Sequence, residues 1–502
     1  MGKKKVIIIG AGPGGLSCGM LLASKGFDVT ILEKTDAIGG RNAAFNLGDY
    51  TFDTGPTFFL MKDVLERIFE STDRKLEDYV KLTDLDPMYR LVFNKDKAFY
   101  PSSDEKKMKE ELERVFPGST AGYEKYMQKE KVKYDKLIPC LEVPYTSFFD
   151  FFKKRFIKAI PYLDAHLSLF DVLGRYFKYE ELKLAFTFQA KYIGMSPWKA
   201  PGTFSLISYI EHGGGVFHVE GGLNQLSHAM AKVFEEYGGK IQFSSNVEEI
   251  MIEGDSGNEA KAKGVKLEDG RTYLADYVVI NSDFAYSMTS LVDESKRKKY
   301  SDAKLAAKEY SCSTYMIYLG VNKVYEDLPH HNIVFADDYR ANVKDITEDF
   351  VPSDDTSFYV QNASVTDKTL APEGKSAIYI LVPTTNNKSN INWEAEKIKT
   401  RDRVIKLLET KGGFTDISKH IEEERIITPE EWEDDYNVYL GAVFNLGHQI
   451  SQMLFLRPHN RFECFKNCYL VGGGTHPGSG LPTIYESGRI SADLLCEDAN
   501  KS

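Results

Sequence analysis

Residues 4–41 read KKVIIIGAGPGGLSCGMLLASKGFDVTILEKTDAIGGR. The run 6–9 is short, apolar and β-branched, the pattern of a buried parallel strand. Gly10, Gly12 and Gly15 follow in G-x-G-x-x-G spacing, and 16–24 reads as a helix. Gly10 permits a tight turn, Gly12 lets the backbone approach a pyrophosphate, and Gly15 lets helix and strand pack closely. The helix start offers free N–H groups and the positive end of a dipole to phosphates. A second strand over 28–32 ends at Glu33, 18 residues after Gly15, where a carboxylate binds ribose hydroxyls. Strand, glycines, helix and acid together predict a dinucleotide site.

The same stretch imitates a signal peptide, because lysines at 3–5 precede an uncharged run to 24. Five glycines and a proline within that run argue against a spanning helix. Working outward, Gly39-Gly40-Arg41 follows the ribose acid, as is typical of flavoproteins; an exposed turn with a solvated arginine is the alternative. Residues 51–56 (TFDTGP) end a strand in a Gly-Pro loop that could pass a flavin ring or be an ordinary turn.

A chain of 502 residues exceeds one core, so two or three intertwined domains are expected. A net charge of −11 argues against a nucleic-acid partner. The 29 Tyr and 31 Phe suggest large apolar cavities or contact surfaces. The six cysteines are scattered and form no metal-ligand pattern; they read as reduced thiols of a cytosolic protein, with no metal site.

Helices are expected at 62–70, 104–116, 120–137 and 180–192, with a hairpin over 89–100. Residues 145–163, YTSFFDFFKKRFIKAIPYL, mix five Phe and two Tyr with Lys153, Lys154, Arg155 and Lys158. An amphipathic helix of this makeup lies in a membrane interface; a cap over the protein's own core is the other reading. Residues 212–215 read as a turn, 216–219 as a strand, 223–237 as a helix and 241–252 as one strand. A turn over 254–259 precedes strands at 261–268 and 275–281, with Asp283 near the last strand's carboxyl end. Between 290 and 440, strand-like runs at 314–320, 332–335, 357–360 and 377–383 predict a mostly antiparallel sheet, with helices over 393–411 and 416–424. His330 and His331 read as loop residues whose side chains point apart. A strand at 468–471 leads into Gly472, Gly473, Gly474, Gly478 and Gly480, and Pro482 starts a helix reaching about 495. That helix could face the pyrimidine carbonyl of a flavin with its positive end.

These blocks carry a resemblance. Ser205–Ile207 with 215–222, HHNIVFADDY at 330–339, LAPEGKSAIYILVP at 370–383, FLRPHNRF at 455–462 and GTHPGSGLP at 474–482 resemble the phytoene desaturase-like carotenoid oxidoreductases of the amine-oxidase-like flavoprotein class. The resemblance spans nearly the whole chain. It implies non-covalent FAD and a long apolar tunnel entered from a membrane. By position, it implies FAD contacts at Gly10, Gly12, Gly14, Gly15, Glu33, Lys34, Gly40 and Arg41. It extends them to Gly55, Pro56, Val247, Asn281, Gly473, Gly474, Leu481, Pro482 and Thr483. Thr483, Ile484, Tyr485 and Glu486 are bulkier than the small residues many relatives place there, and Phe217-His218 replaces a frequent aromatic pair.

The fold expected is α/β: a Rossmann-type FAD-binding domain with an inserted antiparallel-sheet substrate domain and a helical membrane-facing region. The FAD-binding parts fall at 1–90, 211–289 and 441–502, a helical, substrate and membrane-contacting region at 91–210 and the substrate domain at 290–440. Hydride removal to a flavin needs an apolar slot and one group for the second proton. Arg457, His459, His476 and Glu486 are the candidate catalytic groups; Arg457 could equally be structural, and His476 could simply shape its turn. Three functions stay open: desaturation of an apolar isoprenoid, isomerisation or saturation of a polyene or lipid, and non-enzymatic carriage. The expected partners are an apolar substrate and a membrane surface contacted peripherally from the cytoplasm.

Overall fold

A computed structural model describes residues 2–255 and 260–501, so most of the turn expected over 254–259 falls outside the described residues. Five parallel strands stand in the order Cys468–Leu470, Tyr277–Ile280, Lys5–Ile9, Asp28–Leu32, Lys240–Gln242. Beginning, middle and end of the chain thus supply adjacent strands. The uninterrupted apolar run at 6–9 follows from burial on both sheet faces. Val6 and Ile8 pack with helices Pro13–Ser24, Asn224–Glu236 and Leu481–Ala499. Ile7 and Ile9 pack with a three-stranded antiparallel sheet, Val247–Glu253, Lys261–Leu267 and Thr272–Leu274. The first and last helices touch closely at Gly488, where a Cβ would lie 2.7 Å from the Gly14 carbonyl oxygen. Ser17 Oγ donates to the Tyr485 carbonyl across that contact at 3.0 Å.

A second, seven-stranded sheet has the order Ile421–Ile427, Ser313–Val321, Ser376–Thr384, Phe358–Asn362, His331–Val334, Arg90–Asn94, Lys97–Phe99. It is antiparallel except where His331–Val334 pairs with Arg90–Asn94. The hairpin Ala44–Leu47/Tyr50–Asp53 rests on it, and the Tyr50 ring covers Gly320, whose added Cβ would meet that ring at 2.5 Å.

Several sequence expectations are corrected. The expected strand 241–252 is two strands in different sheets, because Ser244 takes a left-handed turn (φ 48°) between them. Residues 421–427 form an edge strand, not a helix. Backbone pairing to Ser313–Val321 wins over the acidic composition, and Glu422 and Glu424 pair with Lys375 and Arg401. Residues 212–214 end the helix Ser205–Gly214. The stretch 145–163 is not one helix: Phe148–Phe152 and Ile160–Tyr162 are single 3₁₀ turns around the short helix Lys154–Ala159. A capping box at Ser147 and Asp150 fixes the first turn, and Pro161 starts the last. Among the described residues no helix is long and apolar enough to cross a membrane.

Candidate functional site

One cavity of about 790 Å³ runs between the two sheets. Its polar end is built by the opening βα unit. Gly10 adopts φ 95°, which turns the chain from strand to helix. Helix Pro13–Ser24 has Gly12 at its N-cap and no side-chain cap, so its first N–H groups stay available to a ligand. The glycines at 12, 14 and 15 also make room for Asn281. Its amide donates to the Gly10 carbonyl at 3.0 Å, and a Cβ at any of the three would lie 2.9–3.0 Å from its side chain. At Gly15 that Cβ would also lie 2.5 Å from the Gly10 oxygen. Glu33 accepts from the Ala11 amide at 2.8 Å and from the Thr35 amide at 3.0 Å, which fixes its carboxylate at the strand's end.

Arg41 sits on the turn Gly40–Asn42 and donates to the Val443 carbonyl at 2.6 Å. Desolvation lowers its pKa, and the carboxylate of Asp283 opposes that. The closing helix Leu481–Ala499 starts after Gly480, again without a side-chain cap. Two uncapped helix starts therefore meet one cavity, as an anionic nucleotide requires. Gly10, Gly12, Glu33, Lys34, Gly40, Arg41, Gly55, Pro56, Val247, Asn281, Gly473, Gly474, Leu481 and Pro482 all line it. Gly14, Gly15 and Thr483 do not; the first two support the loop from behind, and Thr483 Oγ1 donates to the Gly480 carbonyl at 2.8 Å. These residues fit a flavin nucleotide: a glycine cradle and a fixed ribose acid at one end, a second helix start at the other.

Beyond the closing glycines the wall turns apolar, with Phe58, Leu60, Phe188, Ile333, Leu381 and Ile484. Tyr359 and Thr57 add hydroxyls there, 2.8 Å apart. Neither was legible in the sequence, because only the fold brings the loop after Asp53 against the strand Phe358–Asn362.

None of the four candidate catalytic residues lines the cavity. Arg457 is fully buried and donates to the carbonyls of Gly447, Gln452, Leu446, Gly473 and Thr475. Burial lowers its pKa to about 9, which leaves it charged at neutral pH. It is a cation that ties the glycine loop 472–475 to the segment 446–457. His459 Nε2 is 2.9 Å from the Phe455 carbonyl, and His476 Nε2 is 3.0 Å from that of Leu141. Desolvation drops the His476 imidazole to about 3, so it is neutral. Glu486 is paired with Arg489. His330 and His331 are corrected as well: both are buried, His331 begins a strand, and their rings lie 4.4 Å apart.

The flavin containing amine oxidoreductase family matches residues 13–496. A 4,4'-diapophytoene desaturase (4,4'-diapolycopene-forming) from Methylomonas sp is 51% identical over 98% of this chain and 95% of its own. An all-trans-zeta-carotene desaturase from Myxococcus xanthus is 38% identical over 99% of this chain and 94% of its own. An oxidoreductase structure from Methanosarcina mazei superposes with a TM-score of 0.62 at 16% identity, covering 98% of this chain and 100% of that one, which establishes a shared fold. With a glycine-lined cradle opening onto an apolar slot and relatives alike end to end, this chain belongs to the flavin containing amine oxidoreductases, among their carotenoid desaturases.

Proposed function

We propose that the protein is an FAD-dependent desaturase of a linear C30 isoprenoid, 4,4'-diapophytoene. The observation that carries this is the continuous cavity whose glycine-lined polar end runs into a slot walled by Phe58, Phe188, Ile333, Leu381 and Ile484. Such a slot excludes water and aligns a long polyene without binding polar groups. Likeness to the diapophytoene desaturase at 51% identity favours the C30 precursor. FAD, when bound, supplies the two-electron acceptor. The chain's own part is to hold the nucleotide at Gly10, Gly12, Glu33 and Arg41 and to keep the slot dry. Anaerobic mixing of flavin-loaded protein with 4,4'-diapophytoene in liposomes should bleach the flavin and yield a product two hydrogens lighter per turn. A product of equal mass, or one heavier by two hydrogens, would replace this reading with isomerisation or saturation.

Substrate of this kind resides in a bilayer, and we infer that the 148–160 corner meets one. Phe148, Phe149, Phe152, Ile157 and Ile160 are each more than half exposed (51–77%). Lys153, Lys154 and Lys158 stand among them. Exposed aromatics beside lysines suit a peripheral contact with an anionic leaflet. Flotation with anionic liposomes should fall sharply in the double variant Phe148→Asp/Phe152→Asp; undiminished flotation would reject the contact.

A further inference from the structure

Three buried histidines, brought together from separate parts of the chain, have no role in the site as described. His331 Nδ1 lies 2.8 Å from the Tyr359 hydroxyl, which lines the apolar slot. The Phe58 ring stacks on the His331 ring at 4.0 Å and fixes it. The His330 ring is 4.4 Å from that of His331, and the His218 ring is 4.6 Å from that of His330. His218 Nε2 is 2.9 Å from Asp367, itself buried just beneath the exposed residues Lys368 and Thr369. Along this row His331 Nε2, His330 Nδ1 and His218 Nδ1 are buried without a hydrogen-bond partner. An unsatisfied buried nitrogen calls for an explanation, and here three stand on successive rings of one row. Among the described residues no group of three such side chains could hold a metal ion, so ligation does not account for it.

We propose that Tyr359, His331, His330, His218 and Asp367 form a proton path from the apolar slot to solvent. The proposal rests on the desaturase reading for its proton source. In desaturation, one hydrogen leaves the CH–CH unit with its electron pair for the flavin, which is reduced by two electrons. The other leaves as a proton, and the electron pair of its C–H bond becomes the new π bond. Tyr359 oxygen takes that proton as its own hydroxyl proton passes to His331 Nδ1. His331 releases a proton from Nε2, and a bridging water carries it past His330 to His218 and the Asp367 carboxylate. Burial keeps His330 and His331 far below the ordinary imidazole range, so neither retains the proton. The charged groups facing the row are Asp367 and Asp53, with Lys81 beyond Asp367. Gln361 Nε2 lies 3.1 Å from His330 Nε2 and holds that ring's orientation.

The test uses the whole 502-residue chain without substrate, labelled with ¹⁵N-histidine, of which it has ten. Transfer of solvent protons to the His331 ring is measured by NMR in the parent and in His218→Gln and His330→Gln. If either variant fails to fold, the other is read. The path predicts that exchange at His331 slows by about tenfold or more, because the exit is cut while the ring stays buried. A merely structural role predicts the opposite, since a loosened fold opens more often and exchanges faster. Unchanged or faster exchange overturns the proposal. Slowed exchange in a protein that leaves 4,4'-diapophytoene intact would keep the path and discard the substrate.

Discussion

A Cβ on Gly15 would lie 2.5 Å from the Gly10 oxygen and 3.0 Å from the Asn281 amide. The helix start cannot keep its place if that atom is added. Gly15→Ala should lower flavin retained per purified chain by about tenfold or more with secondary structure intact; absorbance against circular dichroism reads both. Arg457 makes the contrasting case at this scale. A methionine there would strand five carbonyls, so Arg457→Met should cost at least about 3 kcal/mol in urea unfolding. Lysine should recover only part, having three donors and no planar fork. Both glycine and arginine stood out in the sequence as site residues. The glycine's role is local, and a six-residue motif displays it. The arginine's role lies in carbonyls of two loops that accept from it, which no spacing displays.

The elements differ in the same way. Strand, glycine turn and helix at either end were legible because hydrophobic runs and punctuation sit together in sequence. The edge strand Ile421–Ile427 was not, because its identity comes from the Ser313–Val321 strand it pairs with. The row of histidines was hidden for the same reason: His218, His330 and Asp367 meet only after distant strands register. Gly320 shows how close such pairing can come. Its bare backbone lies under the Tyr50 ring, and this lets the hairpin 44–53 dock on the large sheet. Gly320→Val should lose about 1–3 kcal/mol by overpacking, read as a shift in urea midpoint with an unchanged slope.

Across the whole molecule, buried imidazoles steepen the response to acid. Burial holds His212 and His476 near a pKa of about 3. Above pH 6.5 these rings are neutral whether the chain is folded or not, so they add no pH dependence. Between about 6.5 and 3 only the unfolded chain takes up their protons, and stability falls as pH drops. Each contributes about 1.4 kcal/mol per pH unit well inside that window. Replacing His476 with Gln should flatten the stability–pH slope there by roughly one proton; calorimetry across pH 4–6 checks it.

The nucleotide cradle is completed by the last strand and helix, Cys468–Leu470 and Leu481–Ala499, which lie beside the first. A ribosome delivers the opening βα unit roughly 20–90 s before the residues that finish it. During that interval the apolar face of Val6 and Ile8 has no Leu494 or Leu495 to cover it. A nascent polypeptide therefore cannot lock its yellow cofactor until synthesis is nearly over, and stalled chains ending before 468 should emerge colourless and bound to chaperones.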